Sequence, residues 1–327
     1  MSMSKLAIAA AMLRLASGQL TDKPVLQPNI DFGAIDQGLL DNLTPTQSTV
    51  DYWDAAYLPQ VCKDRAEAAG FSANDIYAYN VHYSDCGDAW VMCRHNDAPI
   101  DETTGIDLFG RLAVAARSYV VHLLFLPGTR SAGSSGDSIQ FNGDANQITV
   151  FMHETGHSLD GHAYMGDGGA TGLSTSQYWT DAYNADSAIS DDYAATSQQE
   201  NVAQEGNIAL YDKVVPGGAN NLGADQVAQI QNQFHAIQNA PNGAVLLPGD
   251  KGGATACANR LPNSEPVTKV AASKRFAFDA SKKPDVSIKT VPLFDLSNST
   301  RIESDEMVLE HFDGFRITHS TKVRTHK

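Results

Sequence analysis

Positive charge is scarce in this chain: 23 lysines and arginines stand against 38 aspartates and glutamates, a net charge of −15 over 327 residues. A surface of that sign repels nucleic acid and anionic membrane, so neither is expected as a partner. No apolar run is long enough to span a bilayer. Cysteine is scarce as well. Cys62, Cys86, Cys93 and Cys257 are the full set, and none stands in a C-x-x-C pair, which argues against metal binding by thiolates. No internal repeat is evident.

What is present at the start reads as a secretory signal over residues 1–18. Lys5 is the positive end, residues 6–15 form an apolar centre interrupted by Arg14, and Ala16-Ser17-Gly18 is a small-residue cleavage zone. An extracellular destination follows. There, an even number of cysteines predicts two disulfides. Cys86 and Cys93 flank Gly87-Asp88-Ala89, a turn between two strand-like runs, and can close a hairpin. Cys62 is then left to pair with Cys257. Asn42 and Asn298 head N-L-T and N-S-T, glycosylation acceptors in an exported chain.

The most informative segment is Val150-Phe151-Met152-His153-Glu154-Thr155-Gly156-His157. It carries H-E-x-x-H behind an apolar lead-in. Two histidines four apart lie one turn apart on a helix, so both imidazoles reach one metal ion, and zinc is the usual occupant. Glu154 stands beside them, placed to take a proton from water at the metal. A catalytic zinc needs a third protein ligand. The longer template H-E-x-x-H-x-x-G-x-x-H is not met, because Asp160 and Ala163 hold its later positions. Asp160 is short and lies one further step along the axis, so it reads as an outer group that orients His157.

Glu200 is the candidate for the third ligand. It follows Thr196 and Ser197 at the start of a predicted helix, where a capping box is the plainer alternative. Yet Glu200 shares a helical face with Ala203 and Leu210, and a carboxylate on a packed face calls for a cation. The small Ala203 would let this helix approach the His153 helix closely.

H-E-T-G-H-S-L-D, followed by D-Y-A-x-T-x-x-x-E-x-x-A, resembles the gluzincin metallopeptidases related to anthrax lethal factor. The resemblance implies that His153, His157 and Glu200 hold zinc. It also implies that Tyr193, seven residues before Glu200, donates a hydrogen bond to the oxyanion. Tyr79 to Cys86 and Trp90 to His95 are similar to stretches of secreted fungal proteins of the conidiation-specific class that carry the same motif. The likeness extends over about residues 50–257. Val202 and Gln204 depart from it: the lethal-factor-like pattern has an aromatic residue and a second acid there.

Periodicity predicts helices over 50–69 and 101–117, a hairpin of 76–83 with 90–93, and a buried strand over 119–126. Residues 133–136 read as a glycine-serine loop and 138–141 as a short edge strand. The metal helix is expected from about 146, with further helices over 174–188, 197–213 and 224–238. This order predicts an α+β, zincin-like domain over 50–257. An N-terminal extension over 19–49 precedes it. A polar tail over 258–327, mostly disordered, follows. The expected function is a secreted zinc metalloendopeptidase acting on peptide or protein substrates, with the 138–141 strand clamping substrate backbone. The rival is a zinc-binding surface or spore-associated protein with little catalysis.

Overall fold

The structure is a computed structural model that describes residues 20–258, 260–269, 288–290 and 308–309. The expected signal segment and Asn298 lie outside the described residues. Asn42 is exposed at the end of the first helix.

Alternating side chains build the sheet. In β3 (Ile76–Tyr83), Tyr79, Val81 and Tyr83 face one core, while Ile76 and Ala78 face another. Its partner β4 (Trp90–His95) divides likewise, Trp90 and Met92 against Val91 and Cys93. The strand β5 (His122–Leu126) is buried on both faces, which explains its unbroken apolar run. With β1 (Ser48–Tyr52), β6 (Ser131–Ser135), β7 (Ser138–Asn142), β9 (Ile288–Thr290) and β10 (Val308–Leu309) they form a mixed sheet in the order β10-β6-β7-β5-β4-β3-β1-β9. The short strand β2 (Tyr57–Pro59) is a separate case: it pairs with β8 (Pro266–Thr268) apart from the main sheet.

Helix α2 (Gln60–Ala68) covers one face through Cys62 and Ala66. The larger core lies on the other face, under α1 (Phe32–Asn42), α3 (Glu102–Arg111), α4 (Val114–Arg117) and α5 (Ile148–His162). Phe151 of α5 stacks on Phe141 of β7 with ring centroids 4.1 Å apart, and Phe141 stacks on Phe125 of β5 at 5.4 Å. This aromatic column seats the histidine helix on the sheet. The helices α6 (Gln177–Ala185), α7 (Gln198–Val214), α8 (Ala224–Val227) and α9 (Gln231–Gln238) complete the helical half. The α+β class is therefore as expected.

Several elements differ from expectation. Residues 50–69 are not one helix, because Val50 pairs with Val81 in the sheet and α2 starts only after Pro59. Residues 101–117 break at Leu112 and Ala113 into α3 and α4. The glycine-serine stretch is a strand, β6, because β7 pairs with it throughout. That pairing puts β7 inside the sheet between β5 and β6, so the 138–141 segment is no free edge and the expected clamp on substrate backbone is not formed by it. The packed unit also begins before residue 50, since α1 buries Ile35 and Leu39. Nor is the tail separate from its first residue onward. Arg260 stacks its guanidinium 4.6 Å from the Trp90 ring centre and bonds to the Val120 and Val121 carbonyls.

The disulfides also correct the expected pairing. They join Cys62 to Cys93 and Cys86 to Cys257. Cys93 lies opposite Ala78 on the face that α2 covers. Cys86 lies beyond the strand end, in the turn, where its backbone neighbour Asp85 accepts a bond from Cys257 N. The two hairpin cysteines thus point to different partners.

Candidate metal centre

Helix α5 has no side-chain cap of its own at Gln147. Asp36 of α1 supplies one, its carboxylate accepting from Thr149 N and Oγ1 at 3.1 Å each. Helix α7 is capped by Ser197, which accepts from Glu200 N at 3.2 Å. The two helices pack closely: a Cβ added at Gly156 would lie 3.3 Å from the Ala203 Cα. Glycine in the motif and alanine on α7 are what allow this approach.

Across that contact the structure brings three sequence-predicted residues together. His153 Nε2 lies 3.0 Å from Glu200 Oε2, and His157 Nε2 lies 3.4 Å from the same oxygen. The Glu200 side chain therefore turns to the histidines, while its backbone N–H takes the cap. Among the described residues, these three form a group whose donor atoms all lie within 4.8 Å of one another. Burial alone would raise the Glu200 carboxyl, but His157 and His153 hold it well below the usual carboxylate range.

Glu154 is fully buried beside them, and its Oε2 has no hydrogen-bond partner in the protein. Burial pushes its carboxyl up from 4.5 to about 8; the charges of His157 and Arg65 pull it down and that of Glu200 pushes it up. Tyr193 packs its ring 5.5 Å from that of His153, and its hydroxyl bonds to Glu200. Burial first, then the Glu200 and Glu154 charges, raise the phenol far above its ordinary range. Asp160 is buried at the foot of α5, but its oxygens accept from Ser174 N and Oγ at 2.6 Å each. Burial pushes its carboxyl up, against those bonds and the nearby His157. Its shown work is to anchor the turn at Ser174; orienting His157 is not among the bonds it makes.

Arg65, Gln204 and Asp191 make contacts at the site that the sequence does not assign to them. Arg65 bonds to the carbonyls of Ser138 and Gly133, and its charge acts on Glu154. Nothing in its local sequence signals that. Gln204 Oε1 lies 2.9 Å from His153 Nδ1, and Gln204 Nε2 lies 2.5 Å from Asp191 Oδ2. The departure at position 204 was the signal here, since that position faces a histidine. A cavity of about 280 Å³ opens beside them, lined among others by Ile30, Phe32, His153 and Tyr193.

The donor set fits zinc. Ligands about 2.0–2.1 Å from a tetrahedral ion stand roughly 3.3 Å apart, against 3.0 and 3.4 Å between the histidine nitrogens and the Glu200 oxygen. Two imidazoles and one carboxylate would leave a bound zinc one open position, and the partnerless Glu154 carboxylate is buried within reach of the His157 and Glu200 charges.

Fold and site together define an α+β protein with a buried His–His–Glu cluster between two helices. The chain belongs to the family described as conidiation-specific protein Con-13, which it matches over residues 32–247. It is 32% identical over 206 residues to conidiation-specific protein 13 of Neurospora crassa, across 61% of this chain and 60% of that relative's length. No solved structure matches. These findings correct the resemblance to the gluzincin metallopeptidases related to anthrax lethal factor: the family shown is the conidiation-specific one, and no peptidase family is matched.

Proposed function

We propose that the chain is a secreted zinc-dependent endopeptidase with a zincin-like catalytic domain. The observation that carries the reading is the convergence of His153, His157 and Glu200 beside the partnerless, buried Glu154 oxygen. Zinc, when bound, supplies Lewis acidity toward a peptide carbonyl and acidifies water. Glu154 has the raised proton affinity of a group that takes a proton from attacking water and hands it to the leaving amine. Tyr193 keeps its proton at any physiological pH, so it can donate to the carbonyl oxygen as charge develops there. The neighbouring cavity offers room for a substrate side chain. Two disulfides support export to an oxidising compartment.

A second reading is a zinc-binding surface or spore-associated protein with little catalysis. It draws on the conidiation-specific name of the relative and on the amide at Gln204. One set of variants separates the two. Purified protein should carry near-unit zinc after dialysis and cleave a generic peptide. Glu154→Gln should keep the zinc and lose turnover. Tyr193→Phe should keep the zinc and lower turnover by about 10²–10³, the cost of one oxyanion donor. Glu200→Ala should lose both zinc and turnover. Zinc without turnover in the unaltered chain selects the second reading, and folded protein that binds no zinc sinks both.

A further inference from the structure

The amide at Gln204 is held at both ends. One end faces His153 Nδ1 at 2.9 Å and the other faces Asp191 Oδ2 at 2.5 Å. Asp191 Oδ1 meanwhile accepts from Ala194 N at 2.7 Å. All three side chains are buried. We propose that Asp191 acts through Gln204 to fix the proton position on His153, and with the same carboxylate fastens the turn that carries Tyr193. The inference rests on His153 being a metal ligand.

The direction of the relay follows from donor and acceptor chemistry with Asp191 ionised, the form that burial opposes and that its bonds from Ala194 N and Gln204 favour. An ionised carboxylate accepts hydrogen bonds and donates none. The end of Gln204 that meets Asp191 must therefore be its NH₂. Its oxygen then faces His153, which must carry its proton on Nδ1. That leaves the Nε2 lone pair directed at Glu200 and His157, where a metal ligand needs it. Sequence comparison would score Gln204 as the loss of an acid. The structure instead places an acid one residue further out, with an amide passing its polarity inward. Asp191 also lies two residues before Tyr193, and its bond to Ala194 N closes that turn. One carboxylate thus positions two functional groups from different elements.

The same logic gives a test with a built-in rescue. In Asp191→Asn, the Ala194 N–H can only donate, so it takes the new amide's oxygen. The new NH₂ then faces Gln204, which must turn its own oxygen outward and its NH₂ toward His153. Nδ1 must accept, the proton moves to Nε2, and metal binding suffers. In Asp191→Asn with Gln204→Glu, the new NH₂ meets a carboxylate whose other oxygen again accepts from Nδ1. The acid and the amide have exchanged places and the charge is unchanged.

The readout is the zinc dissociation constant by chelator competition, with the circular dichroism of the metal-free protein as control for folding. The single variant should bind zinc about 10–100-fold more weakly, the usual cost of an outer partner, and the double variant should recover most of that loss. Undiminished affinity in the single variant, or a double variant as weak as the single, overturns the relay. If Asp191→Asn does not fold, Gln204→Met cuts the link and leaves the Ala194 turn intact; the same 10–100-fold loss is expected, and unchanged affinity overturns the proposal. An unaltered chain that binds no zinc removes the metal reading itself, a distinct failure that takes the relay with it.

Discussion

Glu154 is the residue whose environment has the most direct consequence for the metal-free protein. Its carboxyl titrates near 4.5 in the unfolded chain and is pushed to about 8 by burial in the folded one. The native state therefore holds the proton more tightly. This contribution to stability is full below about 4.5 and is lost as pH rises through about 8. In the presence of a chelator, the melting temperature should fall across that window, by an amount on the order of a few kcal/mol in stability. Glu154→Gln should flatten the slope, and a profile equally steep in that variant would assign it to another group. At this scale much of the candidate site was legible. A pair of histidines four apart is a local signal, and Glu200 was marked by its apolar face. Arg65 and Asp191 were not legible, because each meets the site through a fold contact. Helix geometry alone points Asp160 at His157, and it cannot show Ser174 across the turn, which takes both carboxylate oxygens.

Among the elements, those with strong alternation, β3 and β4, were legible from sequence, and so was α5. The stretch from Val50 to Pro59 was not. Its apolar spacing suits a helix, yet pairing with β3 and β8 outweighs local preference. The edge position was equally hidden, since β7 is interior only because the serine-rich β6 pairs with it. The C-terminal segment shows how a nonlocal bond decides an element's fate. His122 on β5 faces the Val91 carbonyl through Nδ1 at 3.0 Å, and its Nε2 accepts from Ser264 N at 3.0 Å. Burial drives its pKa down from 6.5 to about 4. A depressed histidine stabilises the fold fully above its unfolded value, and that stability is lost as pH falls through the folded one. Protonation would also fill the lone pair that receives Ser264. Limited proteolysis with an acid-active protease should thus cut near residues 260–269 faster at about pH 4 than at about pH 6.5. His122→Gln should lose that dependence. Cleavage at the same rate at both pH values would show that this clasp does not hold the segment.

Across the whole molecule, the disulfides tie together parts that the sequence keeps far apart. Cys62–Cys93 fastens α2 to the sheet over a separation of 31 residues, and Cys86–Cys257 fastens the β3–β4 turn to the far end of the helical half over 171. Pairing by nearness along the chain fails because strand alternation sends Cys93 to the α2 face while Cys86 stays in the turn. Chain-entropy reasoning gives the bridges about 4 and about 5 kcal/mol respectively, so both matter to a chain of this size. Their surroundings differ more than their loop lengths do. Cys62 and Cys93 are 0% exposed, sealed between helix and sheet, whereas Cys86 and Cys257 are only partly buried. A thiolate must reach a sulfur to exchange with it. Mild reduction of the native protein should therefore open Cys86–Cys257 first, and thiol labelling read by mass spectrometry should mark Cys86 and Cys257 alone. Cys62 and Cys93 should stay protected until the protein unfolds. Peptide mapping without reductant checks the pairing directly, and a peptide joining Cys86 to Cys93 would overturn it. Labelling of all four cysteines at one rate would mean that the sheet and α2 separate as readily as the turn and the chain end.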